Sequence, residues 1–214
     1  MTMNKIHLRF CLTFFLCACA YAQVPSPQPP PADDRDAAGL LGKDYFSASL
    51  FTESFRNSTL THGYGTDLDL NLPVVDNFDM ALSGEFERVP KTPQVTDGAF
   101  DLSFIGYLRA GGVKPFLDLD VGYLLKKTKP NGTETRVNSG TYAVGAGLEV
   151  PVAKSTSLVG RAAIDDEFNR GSHHAWGYTA GVEQIISRGV DALLDVTFNA
   201  GNSTVFSLGV AFTF

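Results

Sequence analysis

The sequence predicts an all-β fold, a closed antiparallel up-and-down barrel of ten strands that crosses a membrane with residues 43–214. Three observations lead to this prediction. Successive segments alternate between one oily face and one polar face, which is the period of a β-strand. The polar face carries nearly all of the mid-strand charge, and aromatic residues collect at one end of the oily face. A membrane barrel turns its oily face to lipid and carries an aromatic girdle at the interface.

Ten segments of about ten to thirteen residues show this period of two, and about 9–11 residues suffice to cross the hydrocarbon layer. The alternation is clearest in the second segment, where Leu68 and Leu70 alternate with Asp67 and Asp69. An even number of strands places both ends of the barrel on the same side. The segments are Lys43–Phe55, His62–Leu72, Asn77–Val89, Gly98–Arg109, Pro115–Lys126, Gly140–Val150, Thr156–Asp165, His174–Gln184, Gly189–Asn199 and Val205–Phe214.

Two of these segments are harder to assign than the others. In the first segment both faces carry aromatic residues, Phe46 on one face and Tyr45 and Phe51 on the other, so we expect a β-bulge there or a register that this pattern does not fix. The alternation is weak in Thr156–Asp165. If this segment and the one after it are shorter than assigned, the barrel has eight strands instead of ten.

A soluble barrel or sandwich shows the same alternation, but it hides its oily face. The distribution of charge and aromatic residues favours the membrane alternative. The connections near 127–139 and 166–173 are also longer than those on the opposite side, as in membrane barrels. The charged positions assigned to the lumen are Asp67, Asp69, Asp79, Glu85, Glu87, Asp101, Asp118, Asp120, Glu149, Arg161, Asp191 and Asp195. The aromatic positions assigned to the girdle are Tyr64, Phe86, Phe100, Tyr123, Tyr142, Trp176, Phe198 and Phe206.

Residues 1–22 have the pattern of a secretory signal. Two basic residues precede an apolar run of about eleven residues, which is too short to span a bilayer, and Ala20-Tyr21-Ala22 fits a cleavage site. An alternative is a lipoprotein signal with lipidation at Cys19. All three cysteines lie inside this segment, so the processed chain is predicted to have no disulfide, thiolate metal site or cysteine nucleophile.

Residues 23–42 are predicted to form a Pro-rich periplasmic tail. Five prolines between positions 25 and 31 favour an extended spacer, with a docking segment for a periplasmic partner as the alternative. Without residues 1–22 the chain carries 15 basic and 23 acidic side chains, a net charge of −8. This balance makes nucleic-acid binding an improbable function.

The C-terminal segment alternates strictly, with Phe206, Leu208, Val210, Phe212 and Phe214 on its oily face. It resembles the last strand of bacterial outer-membrane β-barrels, whose terminal aromatic residue is read by the barrel-assembly machinery. The resemblance to small barrels of this kind, including the OmpA-type membrane domain, covers residues 43–214. It implies an outer-membrane location with both termini in the periplasm, contact with outer-membrane lipid and the assembly machinery as a partner. We expect a monomer.

The sequence predicts no catalytic, cofactor-binding or metal site. The acidic lumen, with Lys126 and Arg161 as its expected cationic partners, suggests a structural barrel or a small passive pore that favours cations. An alternative is a surface-binding or adhesin-type barrel. A less favoured alternative is an omptin-like surface protease, because Asp165-Asp166 and His173-His174 flank one loop and such groups can activate water. The adjacent histidines alone rarely form a metal site.

Overall fold

The computed structural model describes residues 38–56, 62–90, 94–109, 112–129, 134–168, 174–200 and 203–214. The predicted signal segment 1–22 and residues 23–37 of the predicted tail lie outside the described residues. Within the described ranges, no helix is both long enough and apolar enough to cross a membrane.

The described residues form a closed barrel of ten strands, in which every strand pairs antiparallel with its neighbours in sequence and the first pairs with the last. This confirms the predicted fold. The two segments that had suggested an eight-strand alternative form full strands of 12 and 13 residues. The strands are β1 (Tyr45–Phe55), β2 (His62–Val75), β3 (Phe78–Val89), β4 (Gln94–Tyr107), β5 (Lys114–Lys129), β6 (Thr135–Ala153), β7 (Thr156–Glu167), β8 (Ala175–Ser187), β9 (Val190–Asn199) and β10 (Ser203–Thr213).

The barrel has two distinct ends, which we call the terminal end and the far end. At the terminal end β1 begins and β10 stops, and the backbone amide of Phe214 donates to the carbonyl of Asp44. The turns at this end include the two-residue connection at Asp76 and Asn77, where Asn77 adopts a positive φ of 65°. At the far end, β5 and β6 form the longest strands, of 16 and 19 residues.

The register of β1 is regular, so the β-bulge expected there is wrong. β1 pairs with β2 and with β10 without a register shift. Phe51 fits inside the barrel because its ring lies over Gly65 on β2, where a Cβ atom would collide with the ring. The irregularities that do occur lie between Pro73 and Val75, between Pro151 and Ala153, and between Ile185 and Ser187, beside turns of the terminal end.

The polarity of the barrel is inverted relative to a soluble protein. The most completely buried side chains include Glu149 and Asp79, which are 1% and 0% exposed. The most exposed include Leu50 and Leu208, which are 67% and 65% exposed and directly opposite each other on β1 and β10. Soluble monomers rarely expose continuous apolar surface on this scale. An apolar exterior around a polar interior is the arrangement that lipid requires.

Candidate functional site

The described residues line two adjoining cavities in the lumen. The far cavity, of about 730 Å³, occupies the far half of the barrel. The terminal cavity, of about 410 Å³, occupies the other half. Both are lined by Asp120 and Arg161, so they meet at the level of these two side chains.

Among the charged side chains that line both cavities, carboxylates predominate. In the far cavity they include Glu85, Asp101, Asp120, Asp165 and Glu167, and in the terminal cavity they include Asp69, Asp118, Asp120, Glu149, Glu183 and Asp195. The alternation of β-strands produces this lining, because the carboxylates occupy every second position and therefore share the inner face. The predicted lumen positions Asp69, Asp118 and Glu149 are thus brought together by the fold.

Arg161 on β7 lies where the two cavities meet. Its Nε donates to Oδ2 of Asp118 at 2.7 Å, and one terminal nitrogen donates to Oδ1 of Asp118 at 2.9 Å and to Oδ2 of Asp120 at 2.6 Å. The fork of the guanidinium matches a carboxylate in this bidentate manner. Lys126, the other cation expected in the lumen, pairs with Asp97 at 3.1 Å.

Residues 38–43, which we call the mouth segment, close the terminal end of the lumen. This segment includes the last five residues of the predicted tail. The backbone amides of Leu40 and Leu41 donate to Oε2 of Glu149 at 2.8 and 3.0 Å. Lys114 contacts Oε1 of Glu149 at 2.8 Å and donates to the carbonyl of Leu41 at 2.7 Å. Two successive amides around one carboxylate form an anion-binding concavity of the backbone, here filled by a side chain of the barrel wall.

A second buried carboxylate holds the other side of the mouth segment. Oδ2 of Asp79 accepts from the amide of Gly42 at 2.8 Å and from the side chain of Asn71 at 3.1 Å. The same Asn71 amide donates to the carbonyl of Lys43 at 2.9 Å. Burial lowers the pKa of the Lys43 ammonium, and the nearby Asp191 carboxylate opposes this shift.

Glycine is required at the start of this turn. Gly39 has a φ of +100°, a conformation that residues with a Cβ rarely adopt, and a Cβ at this position would collide with the Glu149 carboxylate. The sequence contains a local signal that the prediction of a simple tail did not use. An apolar pair, Leu40-Leu41, stands between two glycines immediately before the first strand. Lys114 and Asn71 carry no comparable signal, because their importance depends on contacts made by the folded chain.

Asp166 and His174, two of the residues on which the protease alternative rests, come together at the far end. His174 Nδ1 lies 2.9 Å from Oδ2 of Asp166, and the Tyr142 hydroxyl lies 3.5 Å from the same oxygen. Strand alternation places Tyr142 and Asp166 in the outward-facing columns of β6 and β7, yet both also border the far cavity. Asp165 faces the lumen beside Arg161. His173 lies outside the described residues. Among those that are described, no group of three or more His, Asp or Glu is arranged to hold a metal.

Comparisons with known proteins show similarity at the level of the fold. The translocator domain of the autotransporter NalP from Neisseria meningitidis is 11% identical, with a TM-score of 0.50 over 85% of this chain and 91% of that chain. The β domain of the Bordetella autotransporter Brka is 12% identical, with a TM-score of 0.51 over 80% of this chain and 100% of that chain. Neisserial surface protein A is 14% identical, with a TM-score of 0.46 over 79% of this chain and 96% of that chain. No protein-family model and no curated protein matches the sequence.

The closed antiparallel barrel, the apolar exterior and the carboxylate-rich interior define the class of this protein. It has the fold of a bacterial outer-membrane β-barrel, as the resemblance of the C-terminal strand had indicated.

Proposed function

We propose that the protein is a small passive pore of the bacterial outer membrane that favours cations and whose terminal mouth is closed by its own mouth segment. The observation that carries this proposal is the carboxylate lining of the two adjoining cavities. A water-filled passage in a low-dielectric wall concentrates ions of the opposite sign, and the summed field of several carboxylates outweighs that of Arg161.

The mouth segment blocks the terminal end of the proposed pore, so a test of conductance needs a form of the chain without it. In the described arrangement it fills the terminal end with hydrogen bonds to Glu149 and Asp79, so we expect the processed full chain to conduct rarely. A shortened chain that begins at Asp44 keeps all ten strands and lacks this closure.

Planar-bilayer recording in a potassium chloride gradient compares the two forms. The chain that begins at Asp44 is expected to give a larger and steadier conductance than the full chain, with a reversal potential that favours K⁺ over Cl⁻. Absence of conducting events in both forms, or a preference for Cl⁻, would contradict the proposed function.

For orientation, we propose that the far end faces the cell exterior and both termini face the periplasm. The outward aromatic residues gather towards the far end, and Tyr64 and Phe86 there are about half exposed. Single cysteines at Lys129 and Arg188 test the orientation with a membrane-impermeant maleimide on whole cells. We expect labelling at position 129 and none at position 188, and the reverse pattern would overturn the proposed orientation.

An omptin-like protease is a second candidate, supported by the 2.9 Å contact between Asp166 and His174. A carboxylate that orients a histidine is a recurring arrangement for activating water. The test is cleavage of exposed peptides by the reconstituted barrel. A protease requires activity that is lost in both Asp166→Asn and His174→Ala, whereas cleavage that persists in both variants excludes this pair as its source. The surface-binding alternative depends on far-end loops that lie largely outside the described residues.

A further inference from the structure

On β5 the column of side chains that faces away from the lumen changes from apolar to basic near the far end. The inner column is identified by Lys126, which bonds to Asp97 on the inner face of β4. Lys127 therefore points outwards, as do the residues at every second position. In order towards the far end, this outward column contains Leu117, Leu119, Val121, Tyr123, Leu125, Lys127 and Lys129.

The same change occurs on the neighbouring strand β6, where Arg136 continues the outward column of Val144 and Tyr142. Lys127 and Arg136 are directly opposite each other in the register of the two strands. Opposed side chains on one face of a sheet have Cβ atoms about 5 Å apart, and like charges in such a pair repel each other. We call Lys127, Lys129 and Arg136 the rim patch, and all three side chains are exposed.

The rim patch is only partly neutralised within the protein. Glu134 lies 2.6 Å from Arg136 and 3.7 Å from Lys129. The hydrogen bond from Arg136, together with its charge, lowers the pKa of Glu134, so this carboxylate stays ionised at neutral pH. Across the described residues 114–129 and 134–153, Glu134 is the one carboxylate on this outward side at the far end. Three cations thus share a single anion.

The height of the rim patch along the barrel identifies its surroundings. Lys127 lies four residues beyond Tyr123, which is about 13 Å along the strand. With a strand tilt of about 40°, this corresponds to about 10 Å along the membrane normal. Tyrosine side chains in an aromatic girdle lie at the edge of the hydrocarbon, so the rim patch lies at the level of the lipid headgroups.

We propose that the rim patch is a binding site for the phosphate of an anionic lipid headgroup, which bridges Lys127 and Arg136 on the outside of the barrel. An anion there relieves the repulsion of the opposed pair, and lysine and arginine are the side chains that bind phosphate through charge and hydrogen bonds. This proposal goes beyond the proposed pore and is independent of whether the lumen conducts.

The test compares lipid retained by the folded barrel after reconstitution in an equal mixture of phosphatidylglycerol and phosphatidylcholine, measured by native mass spectrometry. The test variant is Lys127→Gln/Arg136→Gln. The matched control is Lys154→Gln/Arg188→Gln, which makes the same change in net charge at two exposed turns of the terminal end. Circular dichroism verifies that each variant keeps its strands.

We expect the unmodified protein to retain phosphatidylglycerol in preference to phosphatidylcholine by about fivefold or more, since one cation near an anionic surface contributes about fivefold. The test variant is expected to lose most of this preference and the control to keep it. An unchanged preference in the test variant, or an equal loss in the control, overturns the proposal. Displacement of the lipid by millimolar inorganic phosphate would reassign the patch to the free anion and also overturn it.

Discussion

Glu149 is the single side chain on which the closed mouth of the barrel depends most. One of its oxygens accepts from the amides of Leu40 and Leu41, and the other is paired with Lys114. A carboxylate that is 1% exposed is compatible with folding because the two amides donate to one oxygen and the Lys114 charge lies beside the other. The residue therefore joins the barrel wall to the mouth segment.

We expect Glu149→Gln to lower the free energy of unfolding by about 3–5 kcal/mol, because it removes the carboxylate that pairs with Lys114 at a buried position. Urea unfolding in detergent micelles, followed by the fluorescence of Trp176, measures the change. The control is Glu134→Gln, which also removes a carboxylate from basic neighbours but at an exposed position. Equal shifts of the unfolding midpoint in the two variants would contradict the role assigned to Glu149.

Gly39→Ala is expected to release the mouth segment without unfolding the barrel. The substitution combines two effects, the left-handed backbone at φ +100° and the collision of the new Cβ with Glu149. Gly112→Ala isolates the first effect, since Gly112 has a φ of +94° and the nearest atom to its Cβ would lie 3.8 Å away. The backbone effect alone amounts to about 1–2 kcal/mol.

Limited proteolysis of the folded protein distinguishes these two alanine variants. Cleavage within the mouth segment is expected to accelerate in Gly39→Ala and to stay at the unmodified rate in Gly112→Ala. If the segment remains equally protected in both variants, its docking does not depend on the close approach of Gly39 to Glu149.

Two large inner side chains of the barrel, Phe51 and Phe116, lie over a glycine of the neighbouring strand. Phe116 on β5 lies over Gly147 on β6, and a Cβ at position 147 would collide both with its ring and with the carbonyl oxygen of Gly160. Gly160 on β7 belongs to the opposite, outward face, and a Cβ there would have no atom within 4 Å.

We therefore expect Gly147→Ala to lower the free energy of unfolding by about 1–3 kcal/mol, which is the usual effect of overfilling a packed site. Gly160→Ala, on the adjacent strand, is expected to leave the unfolding midpoint unchanged or to raise it slightly, because alanine restricts the unfolded chain more than glycine does. Urea titrations of the two variants in the same micelles make the comparison. A larger loss in Gly160→Ala would mean that the inner and outer faces of these strands are wrongly assigned.

The alternation of side chains explains why the strands could be predicted and the contacts of the lumen could not. Leu68 and Asp67 differ so strongly in polarity that a period of two identifies both the strand and its faces. In β1 the same pattern failed, because Phe51 is an inner residue accommodated by Gly65 on another strand. A local pattern contains no information about such a partner.

The closure of the mouth could not be predicted for a related reason. Glu149 is 109 positions from Leu40 in sequence, and the backbone amides that it binds have no sequence signature of their own. The acidic lumen, in contrast, was predictable because strand alternation alone sends Asp118, Asp120 and Glu149 to one face. The acidic character of the lumen therefore follows from the sequence of each strand alone. The closure of the mouth depends on contacts that only the complete barrel brings together.

Across the whole barrel, the selectivity of the proposed pore depends on the sum of its charges. Arg161 opposes the surrounding carboxylates at the level where the two cavities meet, and its pairing with Asp118 and Asp120 neutralises part of their field. The Asp118 side chain is 5% exposed, so this pairing also replaces the hydration that the carboxylate has lost.

Arg161→Gln in the chain that begins at Asp44 is expected to raise the permeability ratio of K⁺ to Cl⁻ by roughly threefold or more. The substitution removes a positive charge at the junction of the two cavities, so the electrostatic potential there becomes more negative. Reversal potentials in a potassium chloride gradient measure the ratio. Arg136→Gln removes the same charge from the exposed outer side of the far end, where it faces away from the lumen, and is expected to leave the ratio unchanged. A ratio that falls in Arg161→Gln, or that changes equally in both variants, would show that ions do not pass the junction of the two cavities.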